Sequence, residues 1–373
     1  TDGKLKYYRH CRVAFGVTSS PFLLVSVIQY VLESTLKVLN GNPKYKVDII
    51  EQLKKTFYVD NCLASVKNEL ELQKFIQVAS NTLAARKLEL RGWEYSNLTD
   101  NSSSTTNVLG MVWERCSDYL CLSATNITYD LPGILSKREI LATALKVFDP
   151  LGIACPVTHI PKILLQRLWK LKLSWDQEVN KNSKSEFCKW LNDLKHLEKL
   201  KIPRWLNCDL ETENVSLHIF WDASKFAYSA VAFIPVQTRD SVQVHLLQAK
   251  ARVAPSGIKE TTITRLDLLG AAIVARLASR IIKEFEADNI YFWAWIQRNE
   301  IWDAFVHNRI KEIKQLTPIE YWRHVPGAMN PADLSSRGCS ASYIIASKMW
   351  EGPEWLYLSP EEWPKEEFSA DEK

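Results

Sequence analysis

The chain has 373 residues, of which 46% are hydrophobic and 24% charged, as in an ordinary globular protein with room for two or three cores. The net charge of +4 is too small to name a partner. It is unevenly placed, since residues 162–204 hold eleven Lys/Arg against five Asp/Glu. Eight cysteines lie scattered with no C-x-x-C pair and no zinc-ligand spacing, which excludes a zinc site and suits reduced thiols in a cytoplasmic or nuclear setting.

In chain order, Pro21 opens a predicted helix over 21–39, with Phe22, Val25, Ile28, Gln29 and Leu32 at helical spacing. Its apolar run "PFLLVSVIQYVL" is expected to be too short to span a bilayer, and no membrane partner is expected. A shorter helix follows over 47–57, then the strand–turn–strand "TFYVDNCLASV" and a long helix over about 68–87. "LELRGWEYSN" and "TNVLGMVWERCSDYLCLS" are expected as strands, separated by the polar loop "NLTDNSSSTTN".

Residues 134–200 are expected to be mostly helical. "SKREILATALKVFD" opens on a Ser136–Glu139 capping-box pattern and stops at Pro150-Leu151-Gly152. "PKILLQRLWKLKLSW" is expected to start at its proline and to bury Ile163, Leu164, Leu168, Leu171 and Trp175. A third helix covers about 183–199. The period then changes: in "VSLHIFWDAS" Val215, Leu217, Ile219 and Trp221 share one strand face. "AYSAVAFIPV" and "VQVHLLQAKARV" continue as strands, "RLDLLGAAIVARLASRIIKEF" is a helix and "NIYFWAWI" a strand. The order is β-β-β-α-β with a helical tail, so the fold class is α/β (α+β).

Three carboxylates punctuate this half. Asp222 ends its first strand, Asp267 starts the following helix, and Asp333 lies in "NPADLSSRG" after "WRHVPG". Carboxylates so placed can converge at one sheet edge, where two divalent ions need oxygen ligands to activate water against a phosphodiester. In the first half, Asp60 sits on the turn "YVDN" next to the amide Asn61. Blander roles exist for each: a tight turn favours Asp and Asn, and a helix N-terminus favours Asp267. Trp113, Trp169, Trp190 and Trp221 fall at apolar-face spacing and are expected in the core. His324 is expected to be structural. Lys162, Arg167, Lys170 and Lys172 are the candidate phosphate contacts, and a solvated helical face would need the same residues.

These segments resemble the Pol polyprotein of BEL/Pao-type LTR retrotransposons. "FGVTSSPFLL", "YVDN" and "LGMVWE" resemble its polymerase palm. "SKREILATALKVFDPLGIACPVTHIPKILLQRLWKLKLSWD" resembles its connecting block. "FWDAS", "TITRLDLLGA", "FVHNRI" and "WRHVPGAMNPADLSSRG" resemble its RNase H region. The resemblance runs from about residue 7 to 356. It implies a truncated palm over 1–130, a helical thumb or connection over 131–210, an RNase H-like domain over 211–338 and a tail over 339–373.

It also implies Asp60, Asp222, Asp267 and Asp333 as relict catalytic and metal positions, with Mg2+ as the family's cofactor. The expected partners are an RNA–DNA hybrid or other nucleic acid, and other Pol or Gag segments.

The departures from the family matter. Asn61 stands where the family has a second Asp, Gly92 where it has a lysine, and Asp267 where it has a Glu. The chain starts at Thr1, so it is expected to begin partway through a longer reading frame, with the first palm Asp before it. The third RNase H carboxylate, due after "YFW", is missing, and the next acids are Glu300 and Asp303. The expectation is a degenerate Pol fragment that keeps at most nucleic-acid binding. The alternatives are a surviving Mg2+-dependent RNase H and a co-opted non-catalytic interaction module. No D-[ST]-G turn occurs, which excludes aspartic proteolysis as its own activity.

Overall fold

The computed structural model describes residues 16–39, 43–96, 104–123, 133–206, 214–238, 241–255, 262–284, 289–293 and 304–364. The chain divides into two compact units, Thr1–Tyr95 and Ser96–Lys373.

The first unit holds α1 (Ser20–Val38), α2 (Lys44–Thr56), the hairpin β1 (Phe57–Tyr58) and β2 (Asn61–Cys62), and α3 (Glu69–Ala84). Ile28 and Leu32 of α1 meet Ile50 and Leu53 of α2 and Phe75 and Ala79 of α3 in one small core. Asn68 caps α3, its side chain accepting from the Glu71 N–H at 3.0 Å. The helix α1 corrects one expectation: it runs to 19 residues with a mean hydropathy of 1.3, long and apolar enough to cross a membrane by length and composition.

"LELRGWEYSN" is also corrected, because residues 88–96 form no strand. Leu88, Leu90 and Trp93 pack instead on the helical core, with Trp93 edge-on to Phe75 at 6.4 Å. Gly92 at φ +66° breaks the extended path.

The second unit opens with β3 (Thr105–Val108), β4 (Met111–Glu114) and β5 (Tyr119–Cys121). Leu109 and Gly110 both have positive φ, the signature of a tight two-residue hairpin between β3 and β4. Then come α4 (Lys137–Ala144), α5 (Cys155–Lys170), α6 (Lys181–Asp193) and β6 (Lys201–Pro203), which joins the meander antiparallel to β5. Ser136 caps α4 as its sequence predicts. The helix nevertheless ends well before Pro150.

A loop built on Asp149 follows α4. Its carboxylate accepts from the N–H groups of Gly152, Ile153 and Ala154 at 2.8, 3.0 and 2.8 Å. This turn lets α5 begin at Cys155, earlier than expected, with Pro161 inside the helix. Leu171 and Trp175 lie beyond its end and are exposed rather than buried, because the apolar stripe faces the core only while the helix lasts.

The large sheet comprises β7 (Asn214–Ala223), β8 (Ala227–Gln237), β9 (Val242–Val253), β10 (Asn289–Trp293) and β11 (Trp322–Arg323), in the order β11-β10-β7-β8-β9. β7, β8 and β9 are antiparallel, whereas β10 runs parallel to β7 and β11 parallel to β10. The crossover from β9 to β10 is α7 (Ile263–Glu284). α8 (Ala304–Leu316), α9 (Ala332–Arg337) and α10 (Ala341–Ser347) follow.

Strand alternation sorts the faces. Val215, Leu217, Ile219 and Trp221 pack with α7. Phe220 and Phe233 face the opposite way, into a core shared with Leu164, Leu168, Phe187, Trp190, Ile344 and Trp355. The sheet is therefore a middle layer covered on both faces. Gly152 seats the helical block on it: a Cβ there would lie 1.8 Å from the Ala249 carbonyl oxygen.

Candidate functional site

Three elements meet at the end of β7. Asp222 is the penultimate residue of that strand, paired with Ser229 across to β8. Gly270 lets α7 approach closely: a Cβ there would sit 3.0 Å from the Trp221 ring and 3.8 Å from the Asp222 carbonyl oxygen. Asp267, one turn earlier on α7, is thereby brought within electrostatic reach of Asp222.

Polar side chains that sequence reasoning did not single out hold α9 against the same edge. Asn330 donates to the Trp221 carbonyl at 2.8 Å and accepts from the Ala332 N–H at 3.0 Å. Buried Ser229 donates to the Ala332 carbonyl at 2.8 Å, and Ser224 to the Ser336 carbonyl at 2.9 Å. A lone hydroxyl inside the apolar run "AYSAVAF" was the available signal for Ser229.

The carboxylates are already engaged. The Ser336 hydroxyl donates to Asp222 Oδ2. Arg337 Nε donates to Asp333 Oδ1 at 2.7 Å. Burial raises the Asp222 carboxyl above the usual carboxylate range; the Ser336 hydroxyl opposes this, and the Asp333 charge adds to the rise. Burial, then the Asp222 charge, pushes Asp267 up to about 6. Among the described residues, no three His, Cys, Asp or Glu side chains converge into a group that could hold a metal ion. The described residues by themselves therefore supply no complete ligand set for a pair of Mg2+ ions. The position after β10, with Glu300 and Asp303, lies outside the described residues.

Asp60 belongs to the first unit, exposed on the hairpin between β1 and β2. Val59, at φ +57°, takes the first central place of that two-residue turn, a conformation for which a β-branched residue is an outlier. The Asn61 amide donates to Asp60 Oδ1 at 3.2 Å. A second carboxylate at 61 would repel Asp60, whereas the amide satisfies it.

The four basic candidates separate into two pairs. Arg167 is paired with Glu186, and Lys162 is half-buried, its charge acting on Asp149. Lys170 and Lys172 are exposed at the end of α5. Trp113, Trp190 and Trp221 are buried, but Trp169 is 50% exposed. It forms one wall of a cage with Trp175 around Lys137, whose ammonium lies 4.2 Å from the Trp169 ring and 5.3 Å from that of Trp175. His324 is half-buried beside β11.

A five-stranded sheet with antiparallel first three strands, a helical crossover to parallel fourth and fifth, and carboxylates on the first strand, the crossover helix and α9 defines an RNase H-like protein. The family comparison makes this particular. Residues 136–295, under half of the chain, match the family described as Pao retrotransposon-like RNaseH-like domain, which supports a BEL/Pao-type Pol fragment with an RNase H-like region. The match takes in the helical block from Ser136 as well as the sheet as far as β10. No curated protein matches the chain.

Proposed function

We propose that this Pol fragment no longer cleaves nucleic acid and keeps the ability to bind it, with an RNA–DNA hybrid as the ligand. The observation that carries this reading is the engagement of Asp222 by Ser336 and of Asp333 by Arg337, with no metal-holding trio among the described residues. Hydrolysis of a phosphodiester through two ions requires carboxylate oxygens directed at the metals. "YFWAWI" supplies no carboxylate where the third would stand. At the palm-like turn, the neutral Asn61 leaves one carboxylate in place of two, which favours loss of polymerase chemistry. Exposed Lys170 and Lys172 support retained phosphate contacts.

The test is a hybrid assay on the purified chain with Mg2+ and with Mn2+. Binding that weakens with salt and without turnover is expected. The Lys170→Ala/Lys172→Ala double variant should lower the salt slope by about 1–2. Cleavage that disappears in Asp222→Asn would establish a surviving RNase H and overturn the proposal. Primer extension abolished by Asp60→Asn would overturn its polymerase part, and absence of hybrid binding would overturn the rest.

A further inference from the structure

β9 is an outer strand of the large sheet. α7 packs on β7 and β8, and on the same face β9 carries Gln248, Lys250 and Arg252, which pair with Ala232, Ala230 and Tyr228 of the core under α7. Lys250 is half-buried and Arg252 is exposed. Arg280, exposed on α7, lies within electrostatic reach of Lys250. Burial lowers the Lys250 ammonium below the usual lysine range, and the Arg280 and Arg252 charges lower it further.

Arg276, one turn before Arg280, is paired with Glu312 at 2.6 Å. Among the described residues, Lys250, Arg252 and Arg280 form no ion pair. Like charges gathered without a counter-charge concentrate anions from solution. No large apolar side chain of β9 is exposed, so this shelf lacks the apolar centre of a protein–protein interface. Lys250 and Arg252 stand two residues apart on one strand, about 7 Å, close to the spacing of neighbouring phosphates.

The positive surface continues round the end of the strand. Gln166 Nε2 donates to the Ala254 carbonyl at 2.6 Å, which sets the last turn of α5, with Lys170, beside the residue that follows β9.

We infer that Lys250, Arg252 and Arg280 bind successive phosphates of a nucleic-acid strand that passes round the end of β9 from Lys170. Such contacts touch the backbone alone, so they read charge and not sequence. The inference rests on the nucleic-acid reading above and adds residues on the sheet face opposite the helical block.

The test measures a fluorescein-labelled RNA–DNA hybrid and a single-stranded DNA of equal length, by anisotropy over a salt series on the full chain. The Lys250→Gln/Arg252→Gln/Arg280→Gln variant should bind both about tenfold more weakly, with a salt slope lower by about 2–3. Lys37→Gln/Lys44→Gln/Lys55→Gln removes the same charge from exposed positions of the first unit and should keep the parent's slope. A second readout needs no variant. Lysine acetylation by an N-hydroxysuccinimide ester, mapped by mass spectrometry, should fall at Lys250 when the single strand is bound and stay unchanged at Lys44.

Unchanged affinity and slope in the shelf variant, an equal loss in the first-unit variant, or undiminished Lys250 acetylation would overturn the inference and leave Lys170 and Lys172 to carry hybrid binding. Failure of the hybrid alone to bind, with single-strand binding weakened in the shelf variant, would count against the proposed hybrid ligand and leave the shelf standing. Binding of neither nucleic acid would overturn both.

Discussion

Asp267→Asn isolates the electrostatic cost of keeping these carboxylates together. Burial and the Asp222 charge raise the Asp267 carboxyl from an ordinary 3.8 to about 6. A shift of about 2 units corresponds to about 3 kcal/mol at most, at roughly 1.4 kcal/mol per unit. Asp267 is partly open to solvent, and screening brings this to about 1–2 kcal/mol. The sign follows from the direction of the shift. A raised folded-state value contributes stability that is fully present below pH 3.8 and is lost as pH rises through about 6.

Asparagine keeps the shape and cannot ionise, so the variant does not suffer that loss. Its α7 should be more stable than the parent's at pH 7.5 and close to it below pH 4. Hydrogen exchange of the α7 amides across this range, read by mass spectrometry, measures the local free energy. A difference of the same size at both ends of the range, or a less stable variant at pH 7.5, would refute the argument that ionised Asp222 and Asp267 oppose each other.

Three further outcomes follow from single contacts. Val59→Gly should stabilise the first unit by about 1 kcal/mol, because glycine takes φ +57° without the steric cost that valine bears; a lowered urea midpoint would contradict this. Gly152→Ala should cost more than about 2 kcal/mol, since its Cβ would meet an immovable backbone carbonyl at 1.8 Å in a left-handed conformation; an unchanged thermal midpoint would count against the docking of the helical block through this loop. Asp118→Asn should cost about 2 kcal/mol: Asp118 accepts from Arg204 Nε and Nη2 at 2.7 and 2.9 Å and from Trp113 Nε1 at 2.8 Å, and loss of its charge leaves Arg204 half-buried beside Trp113. Thermal melting of the variant checks this, and no change would show the pair to be energetically idle.

Much of the fold was legible because its signals are local. The alternation of Val215, Leu217, Ile219 and Trp221 named the face that meets α7, and the Ser136–Glu139 pattern marked a helix start that the structure retains. Legibility failed where a distant contact outweighed the local pattern. The apolar alternation of Leu88 and Leu90 suggested a strand, but the helical core around Phe75 took those side chains. Trp169 directly follows Leu168, about 100° around the helix, so it lies to the side of the buried stripe and closes on Lys137.

The candidate site divides in the same way. Asp222, Asp267 and Asp333 were readable as residue types at the ends of elements. Ser336 and Arg337 were only two more polar residues of "NPADLSSRG" until α9 was seen against the sheet.

The sequence by itself determined the order β-β-β-α-β, the family resemblance, and the substitutions Asn61 and Asp267, because composition and period are properties of the chain alone. Tertiary structure decided which groups those residues face. It set Ser336 against Asp222 and joined the helical block to the sheet in one core, whereas Asn61 meets Asp60 and Arg337 meets Asp333 through local contacts. The physical reason is that charge and hydrogen bonding act over a few ångströms in space, and residues more than a hundred positions apart reach that range only when the sheet and its covering helices have packed.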